Sequence, residues 1–136
     1  MENTAADHDV EILIVDDQYG IRILLNEVFQ KEGYRTLLAS SGLQALEMVN
    51  ERDPKLVLLD MKIPGMNGLE TLRRIKQAKP EVKVIIMTAY GDQDIIRNVI
   101  AGGAIAHFSK PFDLQELTAL VKREVPPEIK LDKKKN

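Results

Sequence analysis

The chain contains no cysteine. That excludes a disulfide framework, a thiolate nucleophile and a cysteine zinc site. It also carries little net charge, formally −2 at pH 7. There is thus no electrostatic case for nucleic acid or an anionic membrane as a partner. The opening residues, Met1-Glu2-Asn3-Thr4-Ala5-Ala6-Asp7, lack a cationic stretch followed by an apolar one, so no secretory signal is read there. No apolar run approaches the roughly 20 residues that a membrane helix needs. Together these absences predict a cytoplasmic protein. The pattern also shows no linker, no low-complexity insert and no second domain.

What is present is an ordinary globular composition: 136 residues, 44% hydrophobic and 29% charged. That length suits one domain with a real core. Five short apolar runs stand out, and each ends in polar residues. Glu11-Ile12-Leu13-Ile14-Val15 ends at Asp16-Asp17, and Arg35-Thr36-Leu37-Leu38-Ala39 at Ser40-Ser41. Lys55-Leu56-Val57-Leu58-Leu59 ends at Asp60, Val82-Lys83-Val84-Ile85-Ile86-Met87 at Thr88, and Ile105-Ala106-His107-Phe108-Ser109 at Lys110-Pro111. Three of the runs are apolar without alternation, as in strands buried on both faces.

Segments of helical period separate the runs. Ile21, Leu24, Leu25 and Val28 follow the i, i+3, i+4, i+7 rule. Ser41-Gly42-Leu43-Gln44 reads as a capping box opening a helix to about Glu51, and Asn67-Gly68-Leu69-Glu70 opens another to about Ala78. Asp92 can cap a helix that stops at Gly102-Gly103. Asp113 opens the last, and Pro126-Pro127 forbids its continuation. Five alternations of strand and helix predict an α/β fold: a parallel sheet with right-handed crossovers and helices on both faces. In open sheets of this kind ligands bind outside the carboxyl ends of the strands.

Those ends carry the chemistry. Two unit charges about 4 Å apart interact by about 4 kcal/mol at an effective dielectric of 20. Asp16, Asp17 and Asp60 on one rim therefore call for a cation or a proton. The donors are hard oxygens with no imidazole or thiolate nearby in sequence, which favours magnesium. Thr88 and Lys110 complete a site for a phosphoryl group. A carboxylate that accepts such a group becomes an acyl phosphate, whose oxygens need metal on one side and donors on the other. Thr88 offers a hydroxyl, Lys110 a movable cation, and Ala89 leaves space beside them.

Val15-Asp16-Asp17, Leu59-Asp60 through Asn67-Gly68, Met87-Thr88-Ala89-Tyr90 and Phe108-Ser109-Lys110-Pro111-Phe112 resemble the receiver domain of two-component response regulators. The resemblance covers about Glu11 to Glu124. Asn67 departs from it, since an Asp is common there. Within the family, Asp16 to Leu25 and Asp60 to Gly65 look most like the single-domain sporulation regulators of Bacillus-type bacteria, which are phosphorelay intermediates. The resemblance implies a flavodoxin-like (βα)5 receiver with strand order 2-1-3-4-5 over residues 11–125. Residues 1–10 and 126–136 then read as tails.

The resemblance also implies roles. Asp60 would be the phosphoacceptor. Asp17, Asp60 and the Lys62 carbonyl would hold Mg2+ directly and Asp16 through water, with Mn2+ or Ca2+ as substitutes. Lys110 would pair with Asp60 and then with the phosphoryl group, to which Thr88 would donate. Lys110-Pro111 would be cis, and Tyr90, with Thr88, would occupy the switch position. Gly20, Ile21 and Leu24 beside Pro111 and Phe112 would dock a helical bundle bearing a phosphohistidine. The implied partners are a sensor histidine kinase, a histidine phosphotransferase and a phosphatase. His107 lies short of the rim and reads as a packing or surface residue.

Four functions compete at this point. One is a phosphorelay carrier, a phosphotransferase acting through an aspartyl phosphate. Another is a chemotaxis-type switch whose phosphorylation toggles binding of a target protein. A third is an aspartyl-phosphate phosphatase. Such enzymes tend to use two aspartates separated by one residue, whereas Asp16 and Asp17 are adjacent. The last is a flavin carrier, whose phosphate Asp16-Asp17 would repel. The expectation is the carrier.

Overall fold

The computed structural model describes residues 11–89 and 93–127. Five parallel strands form one sheet in the order β2-β1-β3-β4-β5. The strands are β1 (Glu11–Val15), β2 (Arg35–Ala39), β3 (Leu56–Asp60), β4 (Lys83–Thr88) and β5 (Ala106–Ser109). The helices that link and follow them are α1 (Tyr19–Lys31), α2 (Gly42–Arg52), α3 (Gly68–Ala78), α4 (Gln93–Ala101) and α5 (Leu114–Glu124). The expected α/β architecture and strand order are both present.

The strands without alternation are the interior ones. Every residue of β1 and β3 is buried, and all of β4 after Lys83. Because neighbouring side chains point to opposite faces, each strand feeds two cores at once. Leu13, Val15, Val57 and Leu59 meet Ala45 and Val49 of α2, Leu72 and Ile75 of α3, and Val99 of α4. Ile12, Ile14, Leu56 and Leu58 meet Leu25 and Phe29 of α1 and Leu117 and Val121 of α5. Tyr34 ties the second core together. Its ring packs edge-on against Phe29 and its hydroxyl donates to the Val125 carbonyl at 2.6 Å.

The caps depart in detail from the expected boxes. Ser41 Oγ accepts from Gln44 N, but the Gln44 side chain reaches Ser40 N instead of closing on its own cap residue. Asn67 Oδ1 accepts from Glu70 N at 2.9 Å, while the Glu70 carboxylate turns outward to Arg74. Each box is therefore half made. Asp113 Oδ1 accepts from both Gln115 N and Glu116 N. The cap placed on Asp92 lies outside the described residues. α5 stops at Glu124, ahead of the two prolines.

Candidate functional site

Strand register brings the expected site residues together. Val15 pairs with Leu59, so Asp16 and Asp60 follow paired residues on adjacent strands. Asp60 pairs with Met87, and Thr88 with Ser109, which precedes Lys110. One step past each pair, the chain presents Asp16, Asp60, Thr88 and Lys110 on the same rim. Carboxylate oxygens of Asp16, Asp17 and Asp60 lie within 4.8 Å of one another. Lys110 Nζ spans two of them, 2.9 Å from Asp16 Oδ2 and 3.2 Å from Asp60 Oδ2.

The three carboxylates are not equivalent. Asp16 is fully buried, and both its oxygens are engaged, by Gln18 N at 2.9 Å and by Lys110. Asp60 is 4% exposed and accepts from Lys62 N at 3.3 Å. Asp17 is exposed, and no described residue bonds its carboxylate. Thr88 Oγ1 is buried without a hydrogen-bond partner among the described residues. An all-oxygen donor set with one free carboxylate fits a divalent cation. A buried hydroxyl lacking a partner, on the same rim, fits an anion's oxygen. The Lys110-Pro111 bond is cis, as expected. Tyr90 lies outside the described residues.

A family model for the response regulator receiver domain matches residues 12–122. The chain belongs to the response regulator receiver family. Sporulation initiation phosphotransferase F of Bacillus subtilis (strain 168) is 60% identical over 116 residues, covering 85% of this chain and 94% of that protein. Transcriptional regulatory protein ZraR of Klebsiella oxytoca is 42% identical over 108 residues, 79% of this chain but 24% of that longer protein. A CheY-like receiver domain protein from Methanospirillum hungatei JF-1 has a similar structure, with a TM-score of 0.81 at 29% identity, covering 84% of this chain and 91% of that one. The receiver domain of NtrX from Brucella abortus matches at a TM-score of 0.79 and 34% identity, over 84% of this chain and 97% of that one.

The receiver's electrostatics follow from burial and charge. Burial, and next the charge of Asp16, push the Asp60 carboxyl above its ordinary range, while Lys110 and the Lys62 N–H pull it down without compensating. Burial alone would lower Lys110, but its hydrogen bond to Asp16 and the charges of Asp60 and Asp16 outweigh that and hold it above its ordinary value. The resting site therefore holds a firmly charged ammonium between two carboxylates, one of them poorly accommodated.

The expected docking residues divide by exposure. Gly20 and Pro111 are exposed, and Ile21 and Phe112 are half-buried. Leu24 is 43% exposed. That corrects the expected apolar stripe on α1: the buried residues are Leu25 and Phe29, Ile21 and Val28 are half-buried, and Leu24 faces away from the core. His107 is half-buried in the middle of β5, paired with Ile86. Sequence reasoning missed Arg22, whose Nη1 donates to the Asp16 carbonyl at 2.7 Å and whose guanidinium lies 5.7 Å from the Tyr19 ring centroid. Its only signal was a cation in the first turns of the helix that follows the acidic pair. Among the described residues no helix is long and apolar enough to cross a membrane.

Proposed function

We propose that this receiver is a phosphorelay intermediate in sporulation control. It takes a phosphoryl group onto Asp60 from the phosphohistidine of a sensor histidine kinase and passes it to a histidine phosphotransferase. The observation that carries the reading is the convergence of Asp16, Asp17, Asp60 and Lys110 beside the unpartnered Thr88 hydroxyl. The 60% identity to a sporulation initiation phosphotransferase over most of both chains supports the relay over the chemotaxis-type switch.

In the proposed reaction an Asp60 oxygen attacks phosphorus, the phosphorus–nitrogen bond breaks, and the imidazole leaves with the bonding pair. Asp17, Asp60 and the Lys62 carbonyl would hold Mg2+, with Asp16 acting through water. Mn2+ or Ca2+ would suit the same oxygen donors. The ion would supply positive charge to the phosphoryl oxygens. Lys110, already on Asp60 Oδ2, is placed to follow the charge onto the phosphoryl group. Thr88 Oγ1 would donate to a phosphoryl oxygen, and Tyr90 would accompany it as the switch aromatic. Gly20, Ile21, Leu24, Pro111 and Phe112 would form the surface that receives the helical bundles of donor and acceptor, and of a phosphatase.

The test is Asp60→Asn. The amide keeps the shape but is a far poorer nucleophile, so labelling from acetyl phosphate or a kinase should vanish while the fold persists. Wild-type labelling in the folded variant would sink the assignment. Mixing the labelled protein with a histidine phosphotransferase then separates carrier from switch, because a carrier labels the acceptor and a switch only loses phosphate to water.

A further inference from the structure

The loop from Met61 to Gly68 joins Asp60 to α3 and carries Lys62. Two glycines seat it. At its far end, Gly68 N donates to Met61 O at 3.2 Å, and a Cβ added at Gly68 would lie 2.6 Å from Met61 Cα. The second seat comes from another element. Gly42, the first residue of α2, is buried, and α2 packs beside α3 on the same face of the sheet. A Cβ added there would lie 2.5 Å from Thr71 Oγ1, 3.2 Å from Met66 Cβ and 3.3 Å from Met66 O.

Thr71 cannot easily yield. It is fully buried, and its Oγ1 donates to Asn67 O at 2.8 Å, the carbonyl that also accepts Thr71 N. A push on Thr71 Oγ1 therefore arrives at Asn67, the cap of α3, and the same Cβ presses directly on Met66. Gly42 itself has no positive φ, so an alanine there meets no backbone objection. By helix propensity alone the substitution is neutral or stabilising. Only the space is missing.

We propose that Gly42 is a positioning residue for the divalent cation. Its bare Cα lets the first turn of α2 seat Thr71 and Met66 so that the loop presents the Lys62 carbonyl beside Asp60. The inference rests on the reading that Asp17, Asp60 and the Lys62 carbonyl hold Mg2+. Residues that orient ligands without touching the ion typically cost about tenfold in affinity when altered.

The experiment is calorimetric titration of the metal-free protein with MgCl2, at a temperature where melts show each variant folded. Gly42→Ala should weaken Mg2+ binding about tenfold in the otherwise wild-type protein, and should cost clearly less when introduced into Thr71→Ala, where the obstructing oxygen is already gone. A merely structural role would lower the melting temperature and leave the dissociation constant of the folded protein unchanged, and that outcome overturns the proposal. So does a Gly42→Ala cost that is the same in the wild-type protein and in Thr71→Ala. Should Gly42→Ala not fold, Thr71→Val decides, since it keeps the side chain's volume and removes the bond to Asn67. Weakened Mg2+ binding in that variant supports the seat, and unchanged binding overturns it. Asp17→Asn is the control: if it binds Mg2+ as the wild type does, the site reading itself fails and the inference with it.

Discussion

Replacing Asp60 by asparagine should make the metal-free protein more stable at neutral pH. Carboxylate oxygens of Asp16, Asp17 and Asp60 lie within 4.8 Å of one another. At that separation and an effective dielectric of about 20, each pair repels by about 3.5 kcal/mol. Lys110, 3.2 Å from Asp60 Oδ2, gives back about 5 kcal/mol on the same scale. Two repulsions against one attraction leave the ionised Asp60 about 2 kcal/mol unfavourable before its burial is counted. The amide removes that charge and keeps the shape. For a chain of 136 residues the gain corresponds to a rise of about 6 °C in melting temperature.

The pH dependence fixes the sign. Burial and then Asp16 raise the Asp60 pKa in the folded state, so the folded protein takes up that proton at higher pH than the unfolded chain does. Wild-type stability is thus lost as pH rises through the raised pKa and regained as it falls. The gap between Asp60→Asn and wild type should be widest near neutrality and close on acidification. Calorimetric or circular-dichroism melts in chelator, from neutral to mildly acidic pH, measure it. A variant that melts below wild type at pH 7, or a gap that widens in acid, refutes the reasoning.

Other substitutions test neighbouring parts of the same picture. Lys110→Ala leaves two buried carboxylates without their cation and should cost about 3 kcal/mol in urea melts at pH 7; a midpoint equal to wild type would contradict the pairing. Thr88→Ala removes a buried hydroxyl with no partner among the described residues, so metal-free stability should hold or rise. The same variant should lower the steady-state phosphorylated fraction about tenfold, the worth of one charge-assisted hydrogen bond, and equal labelling would remove Thr88 from the site. Tyr34→Phe loses the bond to the Val125 carbonyl and should cost about 1 kcal/mol. Burial, aided by Glu32, pushes the Tyr34 phenol up to about 12, so wild type should lose stability as pH climbs from about 10 towards that value, and the variant should lack this loss. Leu24→Asp, at an exposed position, should fold normally and take label from acetyl phosphate, yet exchange phosphate with kinase and phosphotransferase at least tenfold more slowly because docking would desolvate the new charge; wild-type exchange would move the docking surface elsewhere.

Much of this was legible in the chain because strand order and register do simple things. Apolar runs without alternation marked the interior strands, and the residue after each run became the rim. Strand edges slipped by one residue at β3, β4 and β5, because the sheet hydrogen bonds do not start and stop where the apolar runs do. Lys55 shows why: it already donates to Glu11 O and accepts from Lys83 N, although β3 begins at Leu56. The helix stripe misled at Leu24 because the i, i+3, i+4 rule cannot tell which of two neighbouring apolar rows meets the sheet. Arg22 was illegible because a surface cation that bonds a main-chain carbonyl leaves no pattern. Gly42 was hidden too, since a glycine at the start of a helix looks like an ordinary boundary until the opposing loop is in place.

The same geometry suits the proposed role, in which the rim would both receive a phosphoryl group and give it up. Three carboxylates and one ammonium leave a formal charge of −2, which a divalent cation would balance. On the proposed reading, phosphorylation of Asp60 would exchange a singly charged carboxylate for a group of charge about −2 and replace two acceptor oxygens with three on phosphorus. The resting structure already contains groups that such a change would use. Lys110 is held between Asp16 and Asp60 and needs only to shift from one oxygen to another, and Thr88 Oγ1 has no bond among the described residues to break. A donor without a partner in one state and with one in the other is a differential interaction, and only such interactions move an equilibrium. Those protein contacts, one hydrogen bond and one displaced ion pair, would stabilise the acyl phosphate by only a few kcal/mol. A relay needs that modest preference: a site that held phosphate more tightly would accept it and stop.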